Sequence, residues 1–303
     1  MPFRYGFLAG GYLAAAMAAA QPADKPTQRG GTFTEPPVRV PPEYVPLGPN
    51  QPNPEGQPHA PLQLRVVLDL PLRRDDAAGS GTQGALQGSP TLQALLRWRP
   101  LEDPGWFAQV AFFRYLSGGR QRPWNPDFIY SFGYEDYRPG TWSFGYANYT
   151  GTRLRPDAAA GERRFNFPQG VWTLTHRFAL PEPLREALLV GDGDSATCQA
   201  SGSFAPRYTR ASGQMGEGKP GLALGCRYVR PDGWFAHFTA QAWPAGGQQP
   251  WDPDYTYGLG WTGRDWAVQY GNYSGNRWPG RDLARGEGRP GSGSLSVTWS
   301  AEW

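Results

Sequence analysis

The chain has 303 residues, of which 39% are hydrophobic and 18% charged, and its formal net charge is only +3. So small a charge, carried by arginines that are scattered among acids and turns, does not indicate nucleic-acid binding. The mean hydropathy of −0.59, with no apolar run of about twenty residues beyond the N-terminus, argues against helical membrane spans.

The N-terminus has the pattern of a secretory signal peptide. Arg4 precedes an apolar run over residues 7–20, and Ala18 and Ala20 form a small-residue cleavage pattern. We therefore predict a signal peptide at residues 1–20 and export of the mature chain. A membrane anchor is the alternative interpretation of the same run.

Prolines dominate the next segment, residues 21–60. They are too frequent for a helix or a central strand, which predicts an extended, polyproline-like or disordered periplasmic leader. The leader would serve as a tether for a periplasmic partner or as a segment threaded into a lumen. An inert linker is the alternative.

From Leu62 onward, large apolar residues fall on every second position, which is the period of a β-strand. The first half of the chain predicts strands near residues 62–72, 92–98, 106–112, 128–134, 142–148 and 172–180. The second half predicts strands near residues 196–208, 222–228, 234–240, 255–261, 266–272 and 294–303. The total is about twelve antiparallel strands, an even number as bacterial membrane barrels require.

One motif occurs twice and indicates an internal duplication. Residues 124–153 read W-N-P-D-F-I-Y-S-F-G-Y, a turn, and then W-S-F-G-Y-A-N-Y-T-G-T-R. Residues 251–277 read W-D-P-D-Y-T-Y-G-L-G-W, a turn, and then W-A-V-Q-Y-G-N-Y-S-G-N-R. We predict two six-strand halves at about residues 61–180 and 181–303.

In both copies the aromatic face of each strand alternates with a small or polar face, which fits aromatic residues toward lipid and small residues toward a lumen. Short turns alternate with long loops, and the alternation continues to Trp303. Over residues 61–303 the sequence resembles porin-like outer-membrane β-barrel proteins of Gram-negative bacteria. The last strand is similar to the C-terminal signal read by the barrel-assembly machinery. The resemblance implies a transmembrane antiparallel β-barrel in outer-membrane lipid; a soluble β-sandwich is the alternative.

The strand phase places polar side chains inside the barrel. The pore-lining candidates are Arg65, Asp69, Arg97, Gln109, Glu135, Arg177, Arg227, His237 and Gln241, with Gln63 and Glu302 on the same face. Arg97, Arg177 and Arg227 would form a basic constriction that favours anions, as charged rings do in pores. Alternatively, these arginines pair with acids across the lumen and only hold the barrel's shape. The many small residues on this face favour an open bore.

Two further sets of residues follow from the strand positions. Trp124, Trp251, Trp299 and Trp303 are candidates for the aromatic girdle at the membrane interface. Stacking on sugar rings is the alternative role for Trp124 and Trp251. Cys198 and Cys226 lie on neighbouring predicted strands of an exported chain, so we predict a disulfide between them; two unpaired thiols are the alternative.

These patterns favour a passive channel for small polar or saccharide-like solutes, with polysaccharide export as one use of such a lumen. A non-conducting structural or assembly barrel that anchors a partner through the leader is the alternative. A lipid-modifying enzyme would need a Ser–His pair oriented by a third group. His237 has Thr239 rather than a serine next on its face, so we predict no catalytic residue, metal or cofactor.

Overall fold

The computed structural model describes residues 61–72, 90–101, 105–116, 126–136, 138–148, 152–156, 165, 167–187, 191, 194–210, 214–244, 246–249, 252–263, 265–272, 276–279 and 290–303. The predicted signal peptide, the leader, Trp124 and Trp251 lie outside the described residues.

Twelve strands form a closed antiparallel barrel in which each strand pairs with its neighbours in the chain. They are β1 (Leu62–Pro71), β2 (Thr91–Trp98), β3 (Trp106–Tyr115), β4 (Phe128–Tyr134), β5 (Trp142–Asn148), β6 (Val171–Ala179), β7 (Ser195–Thr209), β8 (Met215–Val229), β9 (Trp234–Ala242), β10 (Tyr255–Thr262), β11 (Trp266–Asn272) and β12 (Ser294–Glu302). This order confirms the predicted all-β barrel of about twelve strands.

Within the described residues, helical structure is confined to short connections. There one α-helix, α1 (Glu182–Ala187), joins β6 to β7, and 3₁₀ turns occur at Phe167–Gln169 and Pro290–Ser292. Among the residues that the structure describes, no helix is long and apolar enough to cross a bilayer.

The first and last strands close the barrel. β1 and β12 pair from Gln63 opposite Glu302 to Pro71 opposite Ser294. At the end of this seam the Leu62 N–H donates to the Trp303 carbonyl at 3.2 Å, and the Trp303 N–H donates to the Leu62 carbonyl at 2.9 Å. Closure removes the sheet edges, whose unpaired amides and carbonyls a lipid environment would not tolerate.

The two ends of the barrel differ. At one end, called here the short-turn end, compact turns join β2 to β3, β4 to β5, β8 to β9 and β10 to β11, and the seam ends at Leu62 and Trp303. The connections at the opposite end, called here the long-loop end, are mostly longer. This asymmetry is typical of outer-membrane barrels.

The outer face is apolar and the inner face polar, which inverts the arrangement of a soluble protein. On β2, Leu92, Leu96 and Trp98 are exposed, whereas the intervening Gln93 and Arg97 are buried. The same alternation occurs on the other strands. A barrel with this inversion is stable only where lipid covers its outer face. The fold is therefore that of a porin-like outer-membrane β-barrel.

Tryptophans surround much of the barrel near the short-turn end. This tryptophan belt comprises Trp98, Trp106, Trp142, Trp234, Trp261, Trp266, Trp299 and Trp303. Trp299 and Trp303 lie where the girdle was predicted, whereas the other six members were not assigned to it. Trp106 contacts the rings of Tyr134 and Phe144 edge-on, with centroids 5.6 and 5.5 Å away. Amphipathic rings at this position suit a membrane–water interface.

The β7–β8 hairpin is longer than the others and carries the disulfide. Its strands pair as far as Thr209 opposite Met215, beyond Phe204 and Leu222, the last residues that pair with β6 and β9. The extension, residues 205–210 and 214–221, is called here the arm. Lower in the hairpin, Cys198 and Cys226 are directly opposite and form a disulfide.

Candidate functional site

Four arginines point inward from the wall near the short-turn end, and they are called here the inner arginines. They are Arg65 on β1, Arg97 on β2, Arg177 on β6 and Arg227 on β8, each at most 5% exposed. Their strand positions bring them to similar depths. Arg97 lies opposite Gln63, which is close to Arg65 on β1. The strands of Arg177 and Arg227, β6 and β8, both pair with β7. Arg99, which follows β2, adds a fifth buried guanidinium.

Arg97 is part of a buried ion pair with Glu135. Its Nη2 donates to Glu135 Oε2, and Arg99 Nη2 lies 3.3 Å from the same oxygen. The guanidinium also lies 4.3 Å from the centre of the Phe107 ring, which is close enough for a cation–π contact. Arg97 therefore makes the ion pair with an acid that was the alternative to a basic constriction.

Glu135 lies just beyond β4, between these guanidinium groups. Burial favours its neutral form, but the charges of Arg97 and Arg99 outweigh burial and hold the pKa of Glu135 below its ordinary value of 4.5. Glu135 is therefore ionised at neutral pH and offsets part of the positive charge at this level.

Arg177 fastens the β4–β5 turn to the inner wall. Its Nη1 donates to the Asp136 carbonyl and, at 2.8 Å, to Ser143 Oγ. The Asp136 carboxylate pairs with exposed Arg138 at 2.6 Å. The guanidinium thus has a structural role in addition to its charge.

Arg227 occupies in the second half the place that Arg97 has in the first. It lies 4.5 Å from the centre of the Phe235 ring and opposite His237, as Arg97 lies over Phe107 and opposite Gln109. The residue in the place of Glu135 is Thr262, at the end of β10. Its N–H donates to the Gly233 carbonyl, as the N–H of Glu135 donates to the Gly105 carbonyl. The second half thus has a neutral residue at this position.

The other pore-lining candidates are also inside, at different depths. Gln63 donates to Glu302 Oε1 at 2.7 Å at the short-turn end. His237 and Gln241 are buried on β9, and Gln109 is partly buried on β3. Asp69 is buried near the opposite end of β1, facing Thr91 and Ser296, so it is distant from the inner arginines.

Glycines on the inner face do not leave empty volume at several positions. A Cβ at Gly225 would lie 2.7 Å from Thr239 Oγ1, and one at Gly258 would lie 2.8 Å from His237 Nε2. A Cβ at Gly260 would meet the Phe235 ring at 2.7 Å. At these positions neighbouring side chains occupy the space, and the open bore stays a prediction.

The first copy of the repeated motif locks a loop to the start of β4. Asp127 Oδ2 accepts the Leu154 N–H at 2.9 Å, and its Oδ1 lies 3.4 Å from Arg153 Nη1. The Asp127 backbone accepts the Phe113 N–H and donates to the Thr152 carbonyl, both at 2.9 Å. The aspartate and arginine of the motif thus tie three chain segments together.

The second copy forms the same contacts with its own residues. Asp254 Oδ2 accepts the Trp278 N–H at 2.9 Å, and its Oδ1 lies 3.8 Å from Arg277 Nη1. Its backbone accepts the Gln241 N–H and donates to the Asn276 carbonyl, both at 2.7 Å. The aspartate and arginine of the repeated motif therefore form a structural lock at the long-loop end of the barrel.

Sequence reasoning missed a second buried ion pair, Lys219 with Asp252, at the long-loop end. The side chains are 1% and 0% exposed. One signal was present: Lys219 is one of only two lysines in the chain. Sequence reasoning also missed the inward Phe107 and Phe235, because the outward aromatic face was taken as the general rule.

The barrel is similar to solved outer-membrane channels. The NanC porin is 10% identical with a TM-score of 0.34, over 80% of this chain and 98% of that one. An outer-membrane channel from Pseudomonas putida F1 is 11% identical with a TM-score of 0.38, over 83% and 98%. OmpF of Salmonella typhi is 11% identical with a TM-score of 0.31, over 79% and 97%.

The sequence matches no protein-family model, and a search of the curated proteins finds no match. The TM-scores are too low to add to the assignment, which rests on the closed strand order and on the inverted faces of the barrel. The chain folds as a transmembrane β-barrel of the outer-membrane type. The place of such a barrel is the outer membrane of a Gram-negative bacterium.

Proposed function

We propose that the barrel is a passive channel for small polar or saccharide-like solutes and that it prefers anions. The observation that carries the proposal is the excess of inward guanidinium groups near the short-turn end. Arg65, Arg97, Arg99, Arg177 and Arg227 are buried there. Among the described residues, the carboxylates that are buried or face inward at this level are Glu135, Asp136 and Glu302, and Asp136 already pairs with exposed Arg138.

The surroundings of the inner arginines strengthen their effect on a passing ion. A positive charge in a narrow, weakly screened lumen acts more strongly on a mobile ion than the same charge at an exposed surface. Arg65 and Arg177 are only 1% exposed, which supports a narrow lumen at this depth. A narrow lumen favours small solutes over a bulky polymer.

The test is single-channel conductance of the refolded mature protein in planar bilayers, with reversal potentials measured in a salt gradient. We expect discrete conductance steps and a reversal potential on the anion side. Arg227→Gln should lower the anion preference, and Glu135→Gln should raise it, because each changes the lumen charge by one unit in the opposite direction. Arg185→Gln on α1 is the matched control, since it removes a guanidinium from a helix that has no buried residues.

Two outcomes would overturn the proposal in different ways. Folded protein without conductance, both in the mature chain and after deletion of residues 21–60, would exclude a channel. Conductance with a cation preference that Arg227→Gln does not change would exclude the role given to the inner arginines. A rise in conductance on deletion of residues 21–60 would additionally show that the leader obstructs the lumen.

A further inference from the structure

The β9–β10 connection, in its described residues 246–249 and 252–254, is bound to the inner side of the wall. Lys219 on β8 is in phase with inward-facing Arg227, and its Nζ donates to Asp252 Oδ2. Trp243, which follows β9 in phase with inward Gln241, donates from Nε1 to the Pro253 carbonyl at 2.9 Å. The connection is thus held to side chains that face the lumen.

The ammonium group of Lys219 lies among aromatic rings as well as beside the carboxylate. Its Nζ is 4.6 Å from the centre of the Trp243 ring and 5.4 Å from that of Tyr208 on β7. Trp243 in turn packs on buried Val171 and Ala205. β7, β8 and the residue that follows β9 therefore meet the connection at this one cation.

The connection is also fastened from its other side. Arg277, which follows β11, donates from Nη1 to the Asp252 carbonyl and from Nη2 to the Gln249 carbonyl at 3.0 Å. Gln248 Nε2 donates to Asp254 Oδ1 at 2.6 Å. These contacts belong to the lock of the repeated motif, whereas the pair with Lys219 joins the connection to the base of the arm.

The pair has the properties of a contact that can be released. Asp252 is fully buried, its Oδ2 accepts from Lys219 and from the Gln249 N–H at 2.6 Å, and its Oδ1 has no hydrogen-bond partner within the described part of the chain. A buried carboxylate that is only half satisfied retains a large desolvation cost. In the other copy of the motif, Asn125 replaces Asp252, so the titratable version is confined to one side of the barrel.

We propose that the Lys219–Asp252 pair is a latch that sets access to the lumen at the long-loop end. With the pair intact, the connection stays against the arm and narrows the mouth. When the pair is broken, the connection moves away from the arm while it stays bound to Arg277, and the mouth widens. The latch gives these two residues a role in the proposed channel. Only its effect on the passage of solutes rests on the proposed function; the movement of the connection does not.

Access can be measured chemically, without conductance. Both native cysteines are in a disulfide, so a single cysteine introduced as Thr239→Cys, on the inner face of β9 and 1% exposed, reports entry of a membrane-impermeant thiol reagent from the long-loop side. Lys219→Met should raise its labelling rate about tenfold or more, because it leaves the buried carboxylate of Asp252 uncompensated.

The double variant Lys219→Met/Asp252→Leu should label within about threefold of the parent, since an apolar pair replaces the buried charges without leaving either alone. Arg230→Met, which removes an exposed ion pair with Asp232 at the short-turn end, is the matched control and should leave the rate unchanged. An unchanged rate in the folded Lys219→Met variant would overturn the latch, as would a double variant that labels as fast as Lys219→Met.

If a single variant does not fold, the pH dependence of labelling in the Thr239→Cys protein tests the latch instead. The charged or titratable groups around Asp252 are Lys219 on β8, Arg277 after β11, Asp254 in the connection itself and Tyr208 beside the lysine. Rates are divided by those of Arg155→Cys, at an exposed position of the β5–β6 loop on the long-loop side, to remove the reagent's own pH dependence. A normalised rate that does not vary between pH 8 and pH 5 would overturn the latch.

Discussion

Replacement of Glu135 by glutamine is the sharpest test of how the inner wall is held together. The substitution keeps the shape of the side chain but removes the charge that pairs with Arg97 and Arg99. The side chains of the main pair are 2% and 8% exposed. Breaking a pair this deeply buried costs about 3–5 kcal/mol, because the surviving guanidinium is left without its counter-charge.

The loss should depend on pH with a definite sign. Since Arg97 and Arg99 hold the pKa of Glu135 below its ordinary value of 4.5, its stabilising contribution is fully present above pH 4.5. It is lost as the pH falls through the lowered pKa of the folded state. The free energy of unfolding should therefore differ most between wild type and Glu135→Gln at neutral pH, and the difference should shrink in acid.

The assay is urea unfolding in lipid vesicles, followed by tryptophan fluorescence and by heat-modifiable gel mobility, at pH values from 7 to 3. Thr262→Val is the matched control at the corresponding turn of the second half, where Thr262 Oγ1 donates only to the Gly263 carbonyl at 3.3 Å among the contacts described. It should cost at most about 1 kcal/mol. A loss below about 1 kcal/mol for Glu135→Gln, or a loss independent of pH, would refute the reasoning.

Three further outcomes follow from the structure. Reduction of the Cys198–Cys226 disulfide, which spans 28 residues, should lower the free energy of unfolding by about 3–4 kcal/mol in the chain-entropy description. Urea unfolding with and without reductant measures this loss. Cys198→Ala should abolish the effect of the reductant. In the motif locks, Asp254→Asn should destabilise by about 2–3 kcal/mol and Asp127→Asn by about 1 kcal/mol, because Asp254 is fully buried and Asp127 is not; equal losses in urea unfolding would contradict this. Burial raises the pKa of Asp252 to about 6. The carboxyl group therefore binds a proton more tightly in the latched state than after release into water, and a falling pH favours the latched state. The normalised labelling rate of the Thr239→Cys protein should fall as the pH drops from 8 to 5. Asp252→Asn should remove that dependence.

The sequence predicted the strands well because each strand has an apolar face and a polar face. Alternation with a period of two is set by the pleat alone, so it can be read without knowing the partners of a strand. The inward positions of Arg97 and Arg227 followed from the same phase. Even the alternative of pairing with an acid was visible, because Glu135 lies on the same face.

The Lys219–Asp252 pair could not be found in this way. Lys219 lies on the arm, beyond the residues where β8 pairs with β9, and Asp252 lies in a connection with no strand period. Which residues of a loop contact a wall depends on the path of its backbone, and local sequence patterns do not specify that path. Phe107 and Phe235 escaped for a different reason, since a large ring on an inner face is explained only by the guanidinium that covers it.

The tryptophan belt has a mechanical consequence, because it does not surround the barrel evenly. Its members lie on β2, β3, β5 and β9–β12 or at their ends, whereas β6, β7 and β8 have Phe178, Ala196 and Tyr228 near the short-turn end. Interfacial tryptophans resist displacement along the bilayer normal. The membrane should therefore hold the barrel most weakly at β6–β8, so that a rocking motion lifts and lowers this side most. The described part of the arm extends from the same side, so it should move most with such a rocking motion.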